Sequence, residues 1–225
     1  MRSYILLSEK QWHDELFMQL KDSIGGNWYR ISDKAEFNLT RLNELHPDKI
    51  FIPHWSYIIP AEIFEKYECI VFHMTDLPFG RGGSPLQNLI ALGHESTKIS
   101  ALRVVRGIDE GDIYCKRDLD LSGTAKEIFL RSVPEIASMI KEIIQEEPRP
   151  VPQRGDVVKF KRRAPSDSNV GQLKEIKELY NFIRMLDCEG YPNAFIENEH
   201  FRFEFTAGKI EDPNTISADV RIIKK

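Results

Sequence analysis

A histidine, His73, closes the apolar run Cys69-Ile70-Val71-Phe72, and 36 positions later Asp109 sits in a turn flanked by Gly107 and Gly111. A histidine that takes up a proton needs a carboxylate to fix its tautomer and to stabilise its cation, so this pair has the residue types of a general base and its partner. Taken singly, each has a plainer reading. A histidine ending an apolar strand is more often a packed residue, and an acidic glycine turn is more often a solvated hairpin. The segment after His73, "MTDLPFGRGG", adds glycines at which backbone can approach a ligand closely.

For the pair to meet, the fold must bring strand ends to one rim. Residues 1–148 alternate strand-like runs ("SYILLS", "NWYRIS", "KIFIPH", "CIVFHM", "KISALRVV") with helix-like ones ("QWHDELFMQLKDSIG", "NLTRLNELHP", "PAEIFEKY", "LQNLIALGHE"). A further strand follows the Asp109 turn, and a long helix follows a cap at Thr124 or Ser122. Short apolar strands separated by helices predict the α/β class, here a Rossmann-like, mostly parallel sheet with helices on both faces. Ligands bind such sheets at the carboxyl ends of the strands, and His54, at the end of "KIFIPH", belongs to the same rim as His73. No GxGxxG follows the first strand, so a dinucleotide site has no support.

Pro148, Pro150 and Pro152 then break the pattern. They predict a linker between a catalytic domain over residues 1–148 and a small α+β C-terminal domain over 149–225. The second domain is expected to contain a strand at "DVVKFKRR", an amphipathic helix at "QLKEIKELYNFIRML", and strands at "AFIENE", "FRFEFTAGKI" and "SADVRIIKK".

With 225 residues the chain can bury one substantial core and a smaller appendix. A net charge of −4 argues against a protein whose affinity rests on neutralising many phosphates, and "KFKRR" is a small basic cluster. No apolar run approaches a membrane span, and the N-terminus reads as a first strand rather than a signal peptide. Cys69, Cys115 and Cys188 are far apart with no CxxC, so neither a disulfide framework nor a metal site is expected and a reducing cytoplasm is the simplest home.

The stretch from "IFIPHWSY" to "CKRDLDL" resembles the core of the folate-dependent formyltransferases, a family that includes enzymes acting on methionyl-tRNA, glycinamide ribonucleotide and sugar nucleotides. The family pattern runs Asn-x-His, a Leu-Pro turn with Arg-Gly, a helix, a strand and Asp-x-Gly-x-Ile. Here Val71-Phe72-His73, Leu77-Pro78, Arg81-Gly82 and Asp109-Glu110-Gly111-Asp112-Ile113 follow in that order. A second region, "RRAPSDSNVGQLKEIKELYNFIRMLDCEGYPNAFIE", resembles the small C-terminal domain of several members, and the resemblance covers residues 48–197.

The resemblance implies the formyltransferase fold, N10-formyltetrahydrofolate as donor and a primary amine as acceptor. His73 would take the amine proton and Asp109 would orient His73. The family's asparagine, a donor to the oxyanion, is Val71 here. Three readings follow: protonated His73 and a backbone N–H suffice; His54, Ser56 or Thr75 stands in; or catalysis is lost. The folate would lie against Tyr57, Ile58 and Ile59 and against Val105, Arg106, Gly107 and Ile108. Pro78, Phe79, Gly80, Arg81 and Gly82 would face the substrate, with Arg81 meeting an anionic acceptor or the folate glutamate.

The short, acidic chain points to a nucleotide-linked amino sugar as acceptor, in the manner of pseudaminic acid biosynthesis for surface glycans, with no nucleic-acid or membrane partner. A homodimer is inherited from similar sugar enzymes. A methionyl-tRNA formyltransferase-like enzyme, a formyltetrahydrofolate hydrolase and a non-catalytic folate binder are the alternatives.

Overall fold

The chain runs β1 (Ser3–Ser8), α1 (Asp14–Ser23), β2 (Asn27–Ile31), α2 (Leu39–Leu45), β3 (Lys49–His54), α3 (Ala61–Phe64), β4 (Glu68–His73) and β5 (Arg81–Gly82). It continues through α4 (Pro85–Ala91), β6 (Ser96–Arg103), β7 (Ile113–Asp120), α5 (Ala125–Glu146), β8 (Lys159–Phe160), α6 (Ile176–Leu186), β9 (Ala194–Glu197), β10 (Phe201–Asp212) and β11 (Thr215–Lys224). The structure is a computed structural model and describes residues 1–225. Six strands form the main sheet in the order β2-β1-β3-β4-β6-β7. β1 pairs in parallel with β2 and β3, β3 with β4, and β6 returns antiparallel on β4.

Both faces of this sheet are buried, which explains why β1 is apolar at nearly every position rather than alternating. Ile5, Leu7, Ile50, Ile52 and Cys69 point to one side, where Ile31, Phe37, Leu42 and Ile63 cover them. Tyr4, Phe51 and Phe72 point to the other, and the Tyr4 ring lies 5.0 Å from Trp28 and 6.2 Å from Phe51. The expected class is borne out: a mixed sheet with helices on both sides and a small domain of antiparallel strands.

Local signals set the helix ends. The Asn38 side chain caps α2 by accepting from Arg41 N–H at 2.9 Å. Of the two caps expected for α5, Thr124 serves: its hydroxyl accepts from Glu127 N–H at 3.3 Å and Glu127 Oε2 accepts from Thr124 N–H at 2.7 Å. The strand expected at "DVVKFKRR" shrinks to Lys159–Phe160, because the Val158 carbonyl is used by the turn after His73.

The chain forms two compact units, each assembled from several stretches. The first comprises Met1–Arg81, Lys98–Leu119 and Arg131–Lys159, and the second Gly82–Thr97, Asp120–Leu130 and Phe160–Lys225. The second unit holds the sheet β11-β10-β9 with α6 packed on β10. Gly208 makes that packing close, since a Cβ there would lie 2.9 Å from Ile183 Cγ2. Buried Arg184 donates to the Leu121 and Gly123 carbonyls at 2.5 and 2.9 Å and to Asn181 Oδ1 at 2.8 Å. No helix is long and apolar enough to cross a membrane.

His13 supplies a pH-dependent element of stability. It is 2% exposed, and its Nδ1 lies 2.8 Å from the buried Ser8 hydroxyl. Burial, aided by His54, Arg30 and Lys10, pushes its pKa from 6.5 down to about 3. The unfolded chain therefore takes up a proton that the folded chain refuses. The stability present above pH 6.5 is lost as pH falls below it, by up to about 1.4 kcal/mol per unit from this group. Urea unfolding at stepped pH should show this slope in the wild type and a flatter one in His13→Gln. Equal slopes would contradict the assignment.

Candidate active site

His73 is fixed by a backbone group. Its Nε2 lies 2.8 Å from the Gly80 carbonyl oxygen. A carbonyl only accepts, so Nε2 carries the hydrogen and, in the neutral ring, the lone pair is on Nδ1. Nδ1 faces Asp109 Oδ2 at 3.5 Å, with the two side chains 7% and 14% exposed. The pair anticipated from sequence does meet, with its roles distributed differently. The Gly80 carbonyl sets the tautomer, and Asp109 stands on the proton-receiving side, where it becomes the ion-pair partner once Nδ1 is protonated.

The turn that presents Gly80 is held at several points. Gly80 N–H and Arg81 N–H both donate to the Val158 carbonyl at 3.0 Å. Lys116 pairs with Asp76 and donates to the Leu77 carbonyl at 2.6 Å. Gly80 has φ +79°, a conformation open to glycine at little cost. Thr75 is fully buried, its hydroxyl is 3.5 Å from the Gly80 carbonyl, and its own carbonyl accepts from Ser100 Oγ at 2.7 Å.

Asp109 itself sits at φ +54°, a left-handed conformation that aspartate tolerates better than most residues. The loop closes tightly: a Cβ on Gly111 would lie 1.7 Å from the Arg103 carbonyl oxygen, and Arg103 N–H donates to the Asp112 carbonyl at 2.9 Å. Gln153, from the proline-rich stretch read as a linker, donates from Nε2 to the Asp109 and Gly111 carbonyls at 2.8 Å each. Its Oε1 accepts from Arg81 Nε and Nη2 at 3.1 and 2.9 Å. Gly80 was expected to face the substrate rather than to hold His73, and no residue-type signal marked Gln153 beforehand. One acts through its backbone, and the other lies 72 positions beyond Arg81.

The remaining expected residues divide into three groups. Val71 packs against the cluster of Leu77, Leu102 and Ile113, so apolar side chains fill the place where the family carries an amide. By register Ile52 pairs with Val71, which brings the β3 end beside the β4 end. The His54 ring there lies edge-to-face with Trp12, the ring centres 6.1 Å apart, and Ser56 N–H donates to Glu9 Oε2 at 3.0 Å. Tyr57, Ile58, Val105 and Ile108 leave apolar surface exposed, Ile58 as much as 81%, while Ile59 packs on the core. Arg106 points outward, 3.7 Å from Glu65. Arg81 does not reach outward as expected: besides Gln153 it meets Glu110 Oε1 at 3.4 Å.

Such a site can accept a proton at Nδ1 from an attacking nucleophile and hold the resulting cation against Asp109. A cavity of about 560 Å³ adjoins the turn, between Leu77, Ile113–Lys116 and Val151–Arg154. None of the three cysteines is in a disulfide. Burial pushes the Cys69 thiol up to about 12 and the Cys115 thiol up to about 11, which makes them poor nucleophiles. No group of three or more His, Cys, Asp or Glu side chains is placed to hold a metal ion.

Residues 165–223 match the family profile of the methionyl-tRNA formyltransferase C-terminal domain. A solved structure described as methionyl-tRNA formyltransferase from Clostridium thermocellum is 45% identical, with both chains covered in full and a TM-score of 0.96. Methionyl-tRNA formyltransferase from Caldicellulosiruptor saccharolyticus is 28% identical over 74% of this chain and 55% of its own length. This chain thus spans about half the length of that curated relative. A likely sugar N-formyltransferase from Mycobacterium tuberculosis has a TM-score of 0.71 at 14% identity, covering 88% of this chain and 93% of its own, and shows the fold alone.

These similarities overturn the expected amino-sugar acceptor and, with it, the exclusion of a nucleic-acid partner. The expectation leaned on the whole-chain charge of −4, which does not measure local charge. Arg154, Lys159, Lys161 and Arg162 are exposed within nine residues of one another.

Proposed function

This chain belongs to the formyltransferase family, and on that premise we propose that it transfers the formyl group of N10-formyltetrahydrofolate to the free α-amine of methionyl-tRNA. The observation that carries the reading is the His73–Asp109 pair, with Nδ1 3.5 Å from the carboxylate. The neutral amine attacks the formyl carbon while Nδ1 takes its proton, and Asp109 stabilises the imidazolium. The tetrahedral intermediate then collapses: the bond from carbon to N10 of the folate breaks, and that nitrogen takes the proton back from His73. The new amide stays on the acceptor.

Use of this donor by formyltransferases supports the folate, and the exposed apolar surface of Tyr57, Ile58, Val105 and Ile108 gives its ring system a lip to lie against. The 45% identity over the full chain supports the acceptor. We keep residues 1–148 as the catalytic part, joined by Gln153 and Val158 from the stretch that follows, and the remainder of 149–225 as the part that helps hold the acceptor. Cysteines that form no disulfide are in keeping with a reducing cytoplasm as the site of this reaction.

The test is to incubate the protein with N10-formyltetrahydrofolate and methionyl-tRNA, strip the tRNA and identify the released amino acid. N-formylmethionine is expected. Unmodified methionine, or formate released at the same rate without tRNA, would contradict the reading.

A further inference from the structure

We infer that Gln153 is a positioning residue for the His73–Asp109 pair; this rests on the reading of that pair as the reacting centre. His73 is held between two segments, the Gly80 turn on Nε2 and the Asp109 loop on Nδ1. One side chain joins them. Both amide hydrogens of Gln153 go to the Asp109 loop, at 2.8 Å each, and Oε1 accepts from the Arg81 guanidinium at 3.1 and 2.9 Å. All four hydrogen-bonding positions of the amide are filled.

Of the two carbonyls it holds, one belongs to Asp109, whose φ is +54°, and the other to Gly111 two positions on. A non-glycine residue stays in that region only where its surroundings over-determine it. Glu110, between the two carbonyls, pairs with Arg81 at 3.4 Å and closes the same loop from the side-chain direction. Gln153 is in turn placed by a two-way backbone bridge, Ile113 N–H to Val151 carbonyl at 2.8 Å and the reverse at 2.9 Å. The stretch that looked like a linker is therefore a strap across the site.

The chemistry of the residue is specific. Glutamate has the same length and would keep Arg81, but it cannot donate to two carbonyls and would set a charge against them. Alanine removes both contacts. A displacement of Asp109 by about 1 Å is enough to cost on the order of 10²-fold in rate.

The experiment compares wild type, Gln153→Ala and Gln153→Glu as full chains, with melting temperatures checked, in formyl transfer from N10-formyltetrahydrofolate to methionyl-tRNA. The expected result is a kcat lower by roughly 10- to 100-fold in both variants, with KM for the tRNA within about twofold. The pH–rate profile should also move, because the Asp109 carboxylate no longer faces His73 Nδ1 as before. Partial rescue by Gln153→Asn, which can still donate, is expected. An active wild type beside a Gln153→Ala variant with unchanged kcat and pH profile would overturn the inference alone. An inactive wild type would overturn the reading beneath it. In that event the ¹H and ¹⁵N chemical shifts of the His73 ring test the inference without substrate: both variants should move them, and spectra identical to wild type overturn it.

Discussion

Replacing His73 with alanine is expected to lower kcat by about 10²- to 10⁴-fold, the usual contribution of a positioned proton acceptor. At the end of β4 the ring is tied through Nε2 to the Gly80 carbonyl and faces Asp109 through Nδ1. Alanine therefore removes the base and also leaves the buried Gly80 carbonyl with only the long 3.5 Å contact from the Thr75 hydroxyl, at a cost of about 1–3 kcal/mol of stability. His73→Gln separates the two effects. Its amide can still donate to the carbonyl, yet it has no lone pair of comparable basicity. Steady-state formyl transfer with thermal unfolding should show Gln as inactive as Ala but more stable. Wild-type activity in His73→Gln would remove His73 from the mechanism.

The second large effect is expected at Gly111. A Cβ there would lie 1.7 Å from the Arg103 carbonyl oxygen, which is backbone and cannot swing aside. The loop must shift, and it carries Asp109 on one side and the bond between Asp112 and Arg103 on the other. Gly111→Ala should therefore reduce kcat by roughly 10²-fold or more, with about 1–3 kcal/mol lost from stability. An Asp109→Asn variant should share the kinetic loss without the loss of stability. A Gly111→Ala protein of normal rate would show that the loop can open without moving the carboxylate, contrary to the close approach described.

Some of this was legible in the sequence, for physical reasons that differ by residue. The strands of the main sheet announce themselves because both faces are buried, and His73 stands out as the polar end of such a run. Asp109 was legible as a carboxylate between glycines, and Gly111 has its close approach to explain it. Gly80 was read as facing the substrate; its hold on His73 was not legible, because its carbonyl does the work and every residue has one. Gln153 was not, because its partners lie 44, 42 and 72 positions away and three prolines made its surroundings look like a connector. Arg81 was read as facing the substrate, when Gln153 and Glu110 hold it within the site. The acceptor was misread because an averaged charge was asked to decide a local question.

The central mechanistic claim is that the Gly80 carbonyl fixes the proton of His73 on Nε2 and leaves Nδ1 open toward Asp109. The most direct measurement is the ¹⁵N shift of the two His73 ring nitrogens at a pH where the ring is neutral, assigned by comparison with His73→Gln. Protonated Nε2 and unprotonated Nδ1 are predicted, converting to a doubly protonated ring on acidification. A neutral ring with its proton on Nδ1 would contradict the account, since Nε2 would then turn a lone pair toward a carbonyl oxygen and the base would face away from the carboxylate.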